Sequence, residues 1–280
     1  VQDYPMRSPM AGALRIQVGA GALTQRIAAE ISAENLLRGH VLKGLQIQED
    51  GVRAEVRSPE GELEILAKQL ALAIPPRLAG AIAYRPELPD GTQQLLESTP
   101  TWMAGHAKFF ALYDEPFWRE LGLCGTAMSR QGPLAEIHDA SPHGADGYSL
   151  FGFVGLDAKT RAQLGEAELI RMASEQLVKI YGEKAGHYKE VFIKDWSTES
   201  FTAGPRDQEP QRYHPRYGLN PALGEAWAER LKFISSESAF TNGGLIEGAL
   251  EAGLVYAKEM IDAEVFSGEG ERVPHTASMD

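Results

Sequence analysis

The 280-residue sequence predicts a mixed α/β fold. Three patterns support this prediction. Alternating apolar strands with turn residues between them occupy residues 41–74, an amphipathic helix occupies 166–181, and an apolar strand leads through a small-residue loop into a helix over 233–253. A chain of this length with 43% hydrophobic residues can bury one large core or two modest ones.

Composition argues against several classes of function. A net charge of −12 argues against a nucleic-acid or anionic-membrane partner, and no apolar run approaches the roughly 20 residues that cross a bilayer. The single cysteine, Cys124, excludes an internal disulfide framework and a multi-cysteine zinc site, and we expect no metal site. The chain begins with Val1 and no signal peptide opens it, so we expect a soluble protein whose N-terminus has been processed, trimmed or left out.

The first part of the chain has the pattern of a β-turn-α unit followed by a β-meander. Residues 14–31 read as strand, turn and helix, and this unit needs no ligand to explain it. Strands follow from Val41 onward. The last of them must end at Pro75-Pro76 because proline cannot donate a hydrogen bond to a β-ladder.

A helix is predicted over 91–97, and the strand after it carries an unusual lysine. Alternation over 107–113 places Lys108 on the face opposite Ala107 and Phe109. The pattern alone favours an edge lysine with its ammonium in water. The alternative is a lysine held in a cavity by a polar partner or an ordered water.

Residues 121–155 alternate between short predicted strands and turns. Cys124 lies in an apolar stretch of the first strand, which favours a buried, inert thiol over a nucleophile. His138 and Asp139 are adjacent and therefore point to opposite faces of a strand, so they do not form a dyad by themselves. The helix over 166–181 has a charged face that we expect to be solvated.

A further strand over 191–196 ends in Asp195-Trp196, and a turn follows at 201–204. A buried tryptophan usually belongs to a core, which is the simplest interpretation of Trp196. Arg206 comes directly after the turn. Its simplest interpretation is an exposed loop arginine, and the alternative is a guanidinium that binds a carboxylate in bidentate fashion.

Residues 233–253, FISSESAFTNGGLIEGALEAG, can form a shelf for an anionic or carbonyl-rich ligand, and we call them the shelf. They read as strand, small-residue loop and helix start, and the start of a helix favours negative charge. Gly243 and Gly244 remove side chains that would block close approach. Helical spacing predicts one apolar face packed on a core, formed by Ile246, Ala249, Leu250, Gly253 and Leu254. On spacing alone, a plain connector explains the shelf equally well.

The shelf resembles the C-terminal FAD signature of the flavin-dependent amine oxidases, the family of monoamine, polyamine and L-amino-acid oxidases. That signature runs strand, G-T-E, loop, G-x-M-E-G-A and helix, and this sequence has S-S-E at 235–237 and G-L-I-E-G-A at 244–249. Further family motifs are matched by A-I-P-P at 73–76, D-W at 195–196 and F-T-A-G at 201–204.

The resemblance implies a role for each matching residue. Lys108 falls on the family's lysine, which hydrogen-bonds a water at N5 of the flavin and positions water or O2 there, and Trp196 packs near the flavin; these are the implied catalytic residues. The implied FAD-binding residues are Val41 at the adenine end and Ser236, Glu237, Gly244, Leu245 and Ile246 at the shelf. Glu237 would accept hydrogen bonds from cofactor hydroxyls, and the helix that starts at Ile246 would stabilise charge on the reduced flavin.

Two departures from the family pattern concern the substrate. Monoamine oxidases carry a flavin-linked cysteine and then a cage aromatic where this sequence has Pro205 and Arg206, so FAD is expected to be non-covalent. The second cage aromatic matches Leu245, so the paired-tyrosine cage that selects arylalkyl amines is absent. Arg206 and Leu245 are the implied substrate-binding residues, and Arg206 would suit the carboxylate of an amino acid.

The resemblance covers about residues 14–260 but only the later half of the family's sequence. The N-terminal βαβ unit with G-x-G-x-x-G is missing, and Gly19-Ala20-Gly21 does not supply it. The implied fold has a Rossmann-like FAD lobe without that unit over 1–85 and 197–266, a mixed-sheet substrate lobe with helices over 86–196, and a polar tail over 267–280. The implied partner is a separate polypeptide with the ADP-binding half, in a split or proteolytically processed enzyme, and we expect a higher-order oligomer.

The implied reaction oxidises the C–N bond of a small amine or L-amino acid to an imine, with hydride transfer to flavin N5 and reoxidation by O2 or another acceptor. Hydrolysis would release ammonia, and O2 would be reduced to H2O2. The alternative is a non-catalytic binding or assembly subunit that keeps the fold without turnover. We expect a cytoplasmic location, and a secreted or periplasmic location after processing stays open.

Overall fold

The structure is a computed structural model that describes residue 16 and residues 18–142, 147–211 and 213–267. The strands are β1 (Val41–Gln48), β2 (Gly51–Ser58), β3 (Gly61–Ala67), β4 (Leu70–Leu72), β5 (Ala83–Arg85), β6 (Ala107–Tyr113), β7 (Ala127–Met128), β8 (Leu134–Asp139), β9 (Tyr148–Val154), β10 (Glu190–Asp195) and β11 (Leu231–Phe233). The α-helices are α1 (Gly21–Ala29), α2 (Pro76–Ala79), α3 (Asp90–Ser98), α4 (Phe117–Glu120), α5 (Ala158–Leu164), α6 (Glu166–Tyr181), α7 (Gly224–Ala228) and α8 (Ile246–Ser267). This composition confirms the mixed α/β prediction.

The chain divides into two compact units. Of the described residues, one unit contains those up to His40 together with Phe109–Gly155 and Ile170–Ile193, and the other contains Val41–Lys108, Leu156–Leu169 and those from Lys194 onward. Every candidate site residue lies in the second unit. The assignment of FAD and substrate binding to separate lobes stays a prediction, and the predicted tail beyond Ser267 and most of the predicted strand over 14–18 lie outside the described residues.

The predicted β-meander forms a four-stranded sheet in the order β3-β2-β1-β5. β1 is antiparallel to β2 and parallel to β5, and β2 is antiparallel to β3. Leu45, Val52, Ala54 and Val56 on β1 and β2 are at most 5% exposed. Trp227 and Leu231 join the same core, which shows that the meander packs against residues from much later in the chain.

The strand predicted to end before Pro75-Pro76 is β4, and it does not belong to the meander. It pairs in parallel with β11, so that Leu70 lies opposite Leu231 and Leu72 lies opposite Phe233. α2 begins at Pro76, where a missing backbone N–H costs nothing. β4 and β11 together make a two-stranded parallel sheet at the base of the shelf.

A second, five-stranded sheet has the order β10-β6-β9-β8-β7. β6 has the predicted bounds and faces, because Ala107, Phe109 and Ala111 are fully buried while Lys108 on the other face is half-buried. β6 has neighbours on both sides, so the interpretation of Lys108 as an edge-strand lysine is wrong. α6 also has the predicted bounds. None of the described helices is long and apolar enough to cross a bilayer.

The prediction of a buried Cys124 is wrong. Residues 121–126 form an exposed loop, and Cys124 within it is exposed. Gly122 and Gly125 have φ angles of 73° and 71°, which break the extended conformation that a strand requires. The prediction that His138 and Asp139 form no dyad is confirmed: His138 contacts Glu136, whereas Asp139 accepts hydrogen bonds from Trp118 and Arg119.

Candidate functional site

The shelf has the predicted order of strand, loop and helix. β11 leads through Ser235 into a single 3₁₀ turn, Ser236–Ser238, and α8 begins at Ile246. The backbone N–H of Gly244 donates to the carbonyl of Ser236 at 3.2 Å, which holds the glycine loop against the 3₁₀ turn. Ser236, Glu237, Gly244, Leu245 and Ile246 are therefore brought together, as expected from the sequence.

The 3₁₀ turn buries polar groups that lack partners. Glu237 is 3% exposed, and only the hydroxyl of Ser236, at 3.1 Å, donates to its carboxylate among the described residues. The hydroxyls of Ser235 and Ser238 are buried without a hydrogen-bond partner in this part of the chain. Buried polar groups normally have partners, because leaving one unpaired costs about 1–3 kcal/mol. Hydroxyls and phosphate oxygens of a ligand would supply them, so these residues fit a ligand that carries both kinds of group.

Tyr217 gives Gly243 and Gly244 a role that sequence reasoning missed. A Cβ atom added to either glycine would overlap the Tyr217 ring, so in this structure the glycines make room for a tyrosine rather than for a ligand. Burial and the nearby Glu237 carboxylate raise the pKa of Tyr217, so its phenol stays a neutral hydrogen-bond donor beside the shelf. The sequence signal for this contact is the aromatic segment YHPRY at residues 213–217.

The predicted core face of α8 is exposed, which corrects the prediction. Ile246 is 52% exposed, Leu250 38% and Leu254 71%. The face that packs on the 3₁₀ turn contains Gly248 and Ala252 instead, and a Cβ atom at Gly248 would overlap the carbonyl of Asn242. The physical reason is that α8 is apolar on two faces, and a helix of that kind needs a second covering layer.

A second cluster contains Lys108 and Trp196. The backbone N–H of Trp196 donates to the carbonyl of His106 at 2.9 Å. Lys108 lies two residues after His106 in the sequence, so this bond brings the Trp196 turn next to the start of β6. Trp196 is half-buried rather than a core tryptophan, and the Lys194 ammonium lies 5.0 Å from the centroid of its ring. Lys194 also pairs with Glu199. The Trp196 turn thus carries a cation–π contact next to the strand that presents Lys108.

Arg161 is a second residue that sequence reasoning missed. It is 3% exposed, and its guanidinium donates to both carboxylate oxygens of Asp195 at 2.7 Å. Asp195 is the residue that directly precedes Trp196. Burial alone would raise the pKa of Asp195, but hydrogen bonds from Arg161 and Ser197 outweigh it and lower that pKa below its usual value. Burial, Arg161 and Lys108, in that order, lower the pKa of His106, so its imidazole is neutral at physiological pH.

The remaining predicted site residues lie elsewhere in the second unit. Val41 begins β1 and pairs with Arg57. Arg206 is exposed, as its simplest interpretation predicted, and its guanidinium lies 3.4 Å from the Glu97 carboxylate. Leu245 is 62% exposed. Among the described residues, no group of three or more His, Cys, Asp or Glu side chains is arranged to hold a metal ion.

Comparison with known proteins identifies the family of the chain. The family model of flavin-containing amine oxidoreductases matches residues 3–261. A putative flavin-containing monoamine oxidase of Mycobacterium tuberculosis is 32% identical over 251 residues, covering 88% of this chain and 52% of the relative. An L-amino acid dehydrogenase of Synechocystis is 31% identical over 247 residues, covering 87% of this chain and 50% of the relative.

Solved structures show the same fold. Putrescine oxidase bound to putrescine superposes with a TM-score of 0.70 at 23% identity, and cyclohexylamine oxidase from Brevibacterium oxydans with a TM-score of 0.70 at 24% identity. The match to putrescine oxidase covers 88% of this chain but 53% of the other, and the chain likewise spans about half the length of the relatives named above. By its sequence match and its fold, the chain belongs to the family of flavin-containing amine oxidoreductases.

Proposed function

We propose that the chain forms half of an FAD-dependent oxidase that acts on the C–N bond of an amine or an L-amino acid. The observation that carries this proposal is a set of buried polar groups in the shelf that have too few hydrogen-bond partners. The Glu237 carboxylate and the hydroxyls of Ser235 and Ser238 offer acceptors and donors that no described residue uses fully. A plain connector loop would have no reason to bury them.

Four of the candidate residues have a specific task in this proposal. Glu237 accepts hydrogen bonds from cofactor hydroxyls, and the first amides of α8, at Ile246, stabilise negative charge. A bound FAD would supply the redox chemistry, which is two-electron oxidation of the C–N bond to an imine, with O2 as the final acceptor that is reduced to H2O2. Lys108 holds a water and supplies positive charge for O2 reduction, and Trp196 offers an aromatic packing surface. Pro205 stands where some relatives attach the flavin, so binding is non-covalent.

Arg206 bears on whether the substrate is a simple amine or an L-amino acid. Relatives of this chain include both a monoamine oxidase and an L-amino acid dehydrogenase. Arg206 would bind a substrate carboxylate only by leaving or sharing its ion pair with Glu97. An L-amino acid that binds would therefore compete with Glu97, whereas a simple amine would leave the pair intact.

The exposed face of α8 and the two-stranded parallel sheet support a partner. Parallel sheets are normally covered on both faces, and a large exposed apolar patch normally marks an interface. Ile246, Leu250 and Leu254 form such a patch on α8. We propose that it binds the α/β half that relatives carry and that supplies the G-x-G-x-x-G loop, either as a separate polypeptide or as another part of a processed precursor, in a higher-order oligomer.

The test begins with native mass spectrometry and visible absorption on protein purified from its natural source. A second polypeptide together with the absorption bands of oxidised flavin is expected. A lone, colourless chain would support the non-catalytic subunit instead. In the coloured complex, Lys108→Met should slow flavin reoxidation by about 10²-fold with flavin content unchanged. The matched control is Lys189→Met, because Lys189 is exposed and lies in the other unit.

A further inference from the structure

The guanidinium of the buried Arg161 donates hydrogen bonds to five acceptor atoms. Besides the two bonds to Asp195, its guanidinium donates to the carbonyls of Leu156 at 2.6 Å and Gly105 at 2.9 Å, and to the hydroxyl of Ser197 at 3.2 Å. Every acceptor is a main-chain carbonyl, a carboxylate or a hydroxyl in the second unit. A planar guanidinium can satisfy this geometry, and a lysine ammonium cannot.

Except for Leu156, those partners belong to the two segments that carry the candidate catalytic residues. Gly105 lies three residues before Lys108, and Asp195 directly precedes Trp196. Asp195 also accepts a hydrogen bond from the backbone N–H of Ser197 at 3.0 Å, which caps the short 3₁₀ turn Trp196–Thr198. The two segments are further joined by the bond from the Trp196 amide to the His106 carbonyl. Arg161 therefore fixes the position of one segment against the other.

We propose that Arg161 is a positioning residue that sets Lys108 and Trp196 in register for catalysis. The proposal rests on the catalytic assignment of Lys108 and Trp196 made above. Without the guanidinium, the Asp195 carboxylate loses two of its hydrogen bonds and the Gly105 carbonyl loses one. The start of β6 and the Trp196 turn are then held together less tightly and can shift relative to each other. Small shifts of catalytic groups reduce turnover strongly, whereas they leave substrate binding far from those groups intact.

A first experiment uses the full chain without cofactor, so that it does not depend on the oxidase assignment. Arg161→Lys keeps the positive charge but removes the planar guanidinium. Asp195→Asn keeps the size of the side chain and weakens its two hydrogen bonds with Arg161. We expect the acetylation rate of Lys108, measured by peptide mass spectrometry, to change by about three-fold or more in both variants. Hydrogen exchange of the Trp196 amide should become about 10-fold faster.

The matched controls are Arg119→Lys and Asp139→Asn. Asp139 also accepts two hydrogen bonds from one arginine, Arg119, and its pKa is likewise lowered, but it lies in the other unit. Controls that lower the unfolding temperature without changing Lys108 acetylation or Trp196 exchange support the proposal. If the Arg161 and Asp195 variants behave like the controls, Arg161 is a stabilising residue only and the proposal is wrong.

A second experiment uses the flavin-loaded complex. Arg161→Lys should lower kcat about 10- to 100-fold with little change in KM, and the controls should leave both unchanged. An unaltered kcat with altered Lys108 acetylation would keep the positioning of Lys108 but overturn its catalytic purpose. If Lys108→Met itself has no effect on flavin reactions, the catalytic assignment of Lys108 fails, while the cofactor-free experiment still decides whether Arg161 positions Lys108.

Discussion

The β-meander and the shelf both carry apolar residues with the correct period, but only the meander buries them. Leu45 in the meander is fully buried and Val52 is 2% exposed, whereas Leu254 on α8 is 71% exposed. The meander joins antiparallel strands that are close in the chain, and residues from later in the chain, including Trp227 and Leu231, complete its core. The shelf rests on a two-stranded parallel sheet and one helix, which cannot cover a second face. The comparison shows a closed core in one region and an exposed apolar face in the other.

The largest effect is expected in the meander. Leu45→Ala removes a fully buried side chain, so we expect it to lower the free energy of unfolding by about 2–5 kcal/mol. Urea-induced unfolding of the chain, followed by circular dichroism, measures this. A loss below about 1 kcal/mol would mean that the meander is not a closed core.

An intermediate effect is expected where the glycine loop of the shelf packs on Tyr217. Gly243→Ala introduces a Cβ atom that overlaps the Tyr217 ring, so the free energy of unfolding should fall by about 1–3 kcal/mol. The cost should fall in a Tyr217→Ala background, which a double-mutant cycle measures. Gly253→Ala is the control, because a Cβ atom there meets nothing within 4 Å. Equal costs of Gly243→Ala in both backgrounds would rule out the contact with Tyr217.

A small effect on stability but a clear effect on association is expected at α8. Leu254→Gln replaces an exposed side chain with another good helix former, so the isolated chain should change by no more than about 0.5 kcal/mol. If the exposed face binds the ADP-binding half, affinity for that half should fall about 10-fold or more, because a buried leucine contributes about 1.5–3 kcal/mol. Isothermal titration calorimetry with the purified partner half measures the loss, and unchanged affinity would exclude this face.

The smallest effect is expected at Leu66, which is 73% exposed on β3 and is thus as exposed as Leu254. Leu66→Thr keeps β propensity and should change neither stability, beyond about 0.5 kcal/mol, nor affinity for the partner half. The same calorimetric titration serves as the measurement. If Leu66→Thr weakens association as much as Leu254→Gln does, the exposed face of α8 is not a specific binding surface for the partner half.

Local patterns in the sequence were sufficient for much of the fold. The bounds of β6 and α6 and the start of α8 were predicted as observed, because alternation and helical spacing depend on neighbouring residues. Cys124 was not predicted correctly, since an apolar stretch does not reveal that two glycines turn it into a loop. The exposed face of α8 was also missed, because periodicity identifies an apolar face but not what covers it.

The chemical character of the site could be read from residue types and spacing alone: a small-residue strand-to-helix turn with a carboxylate at Glu237, and a lysine at position 108 on an apolar strand. The groups that contact these residues became visible in the folded chain. Arg161 reaches Asp195 and Gly105 across long stretches of chain, and Tyr217 packs on Gly243 from another loop. Contacts between residues that are distant in the chain leave no periodic trace, because they are formed when whole elements pack together.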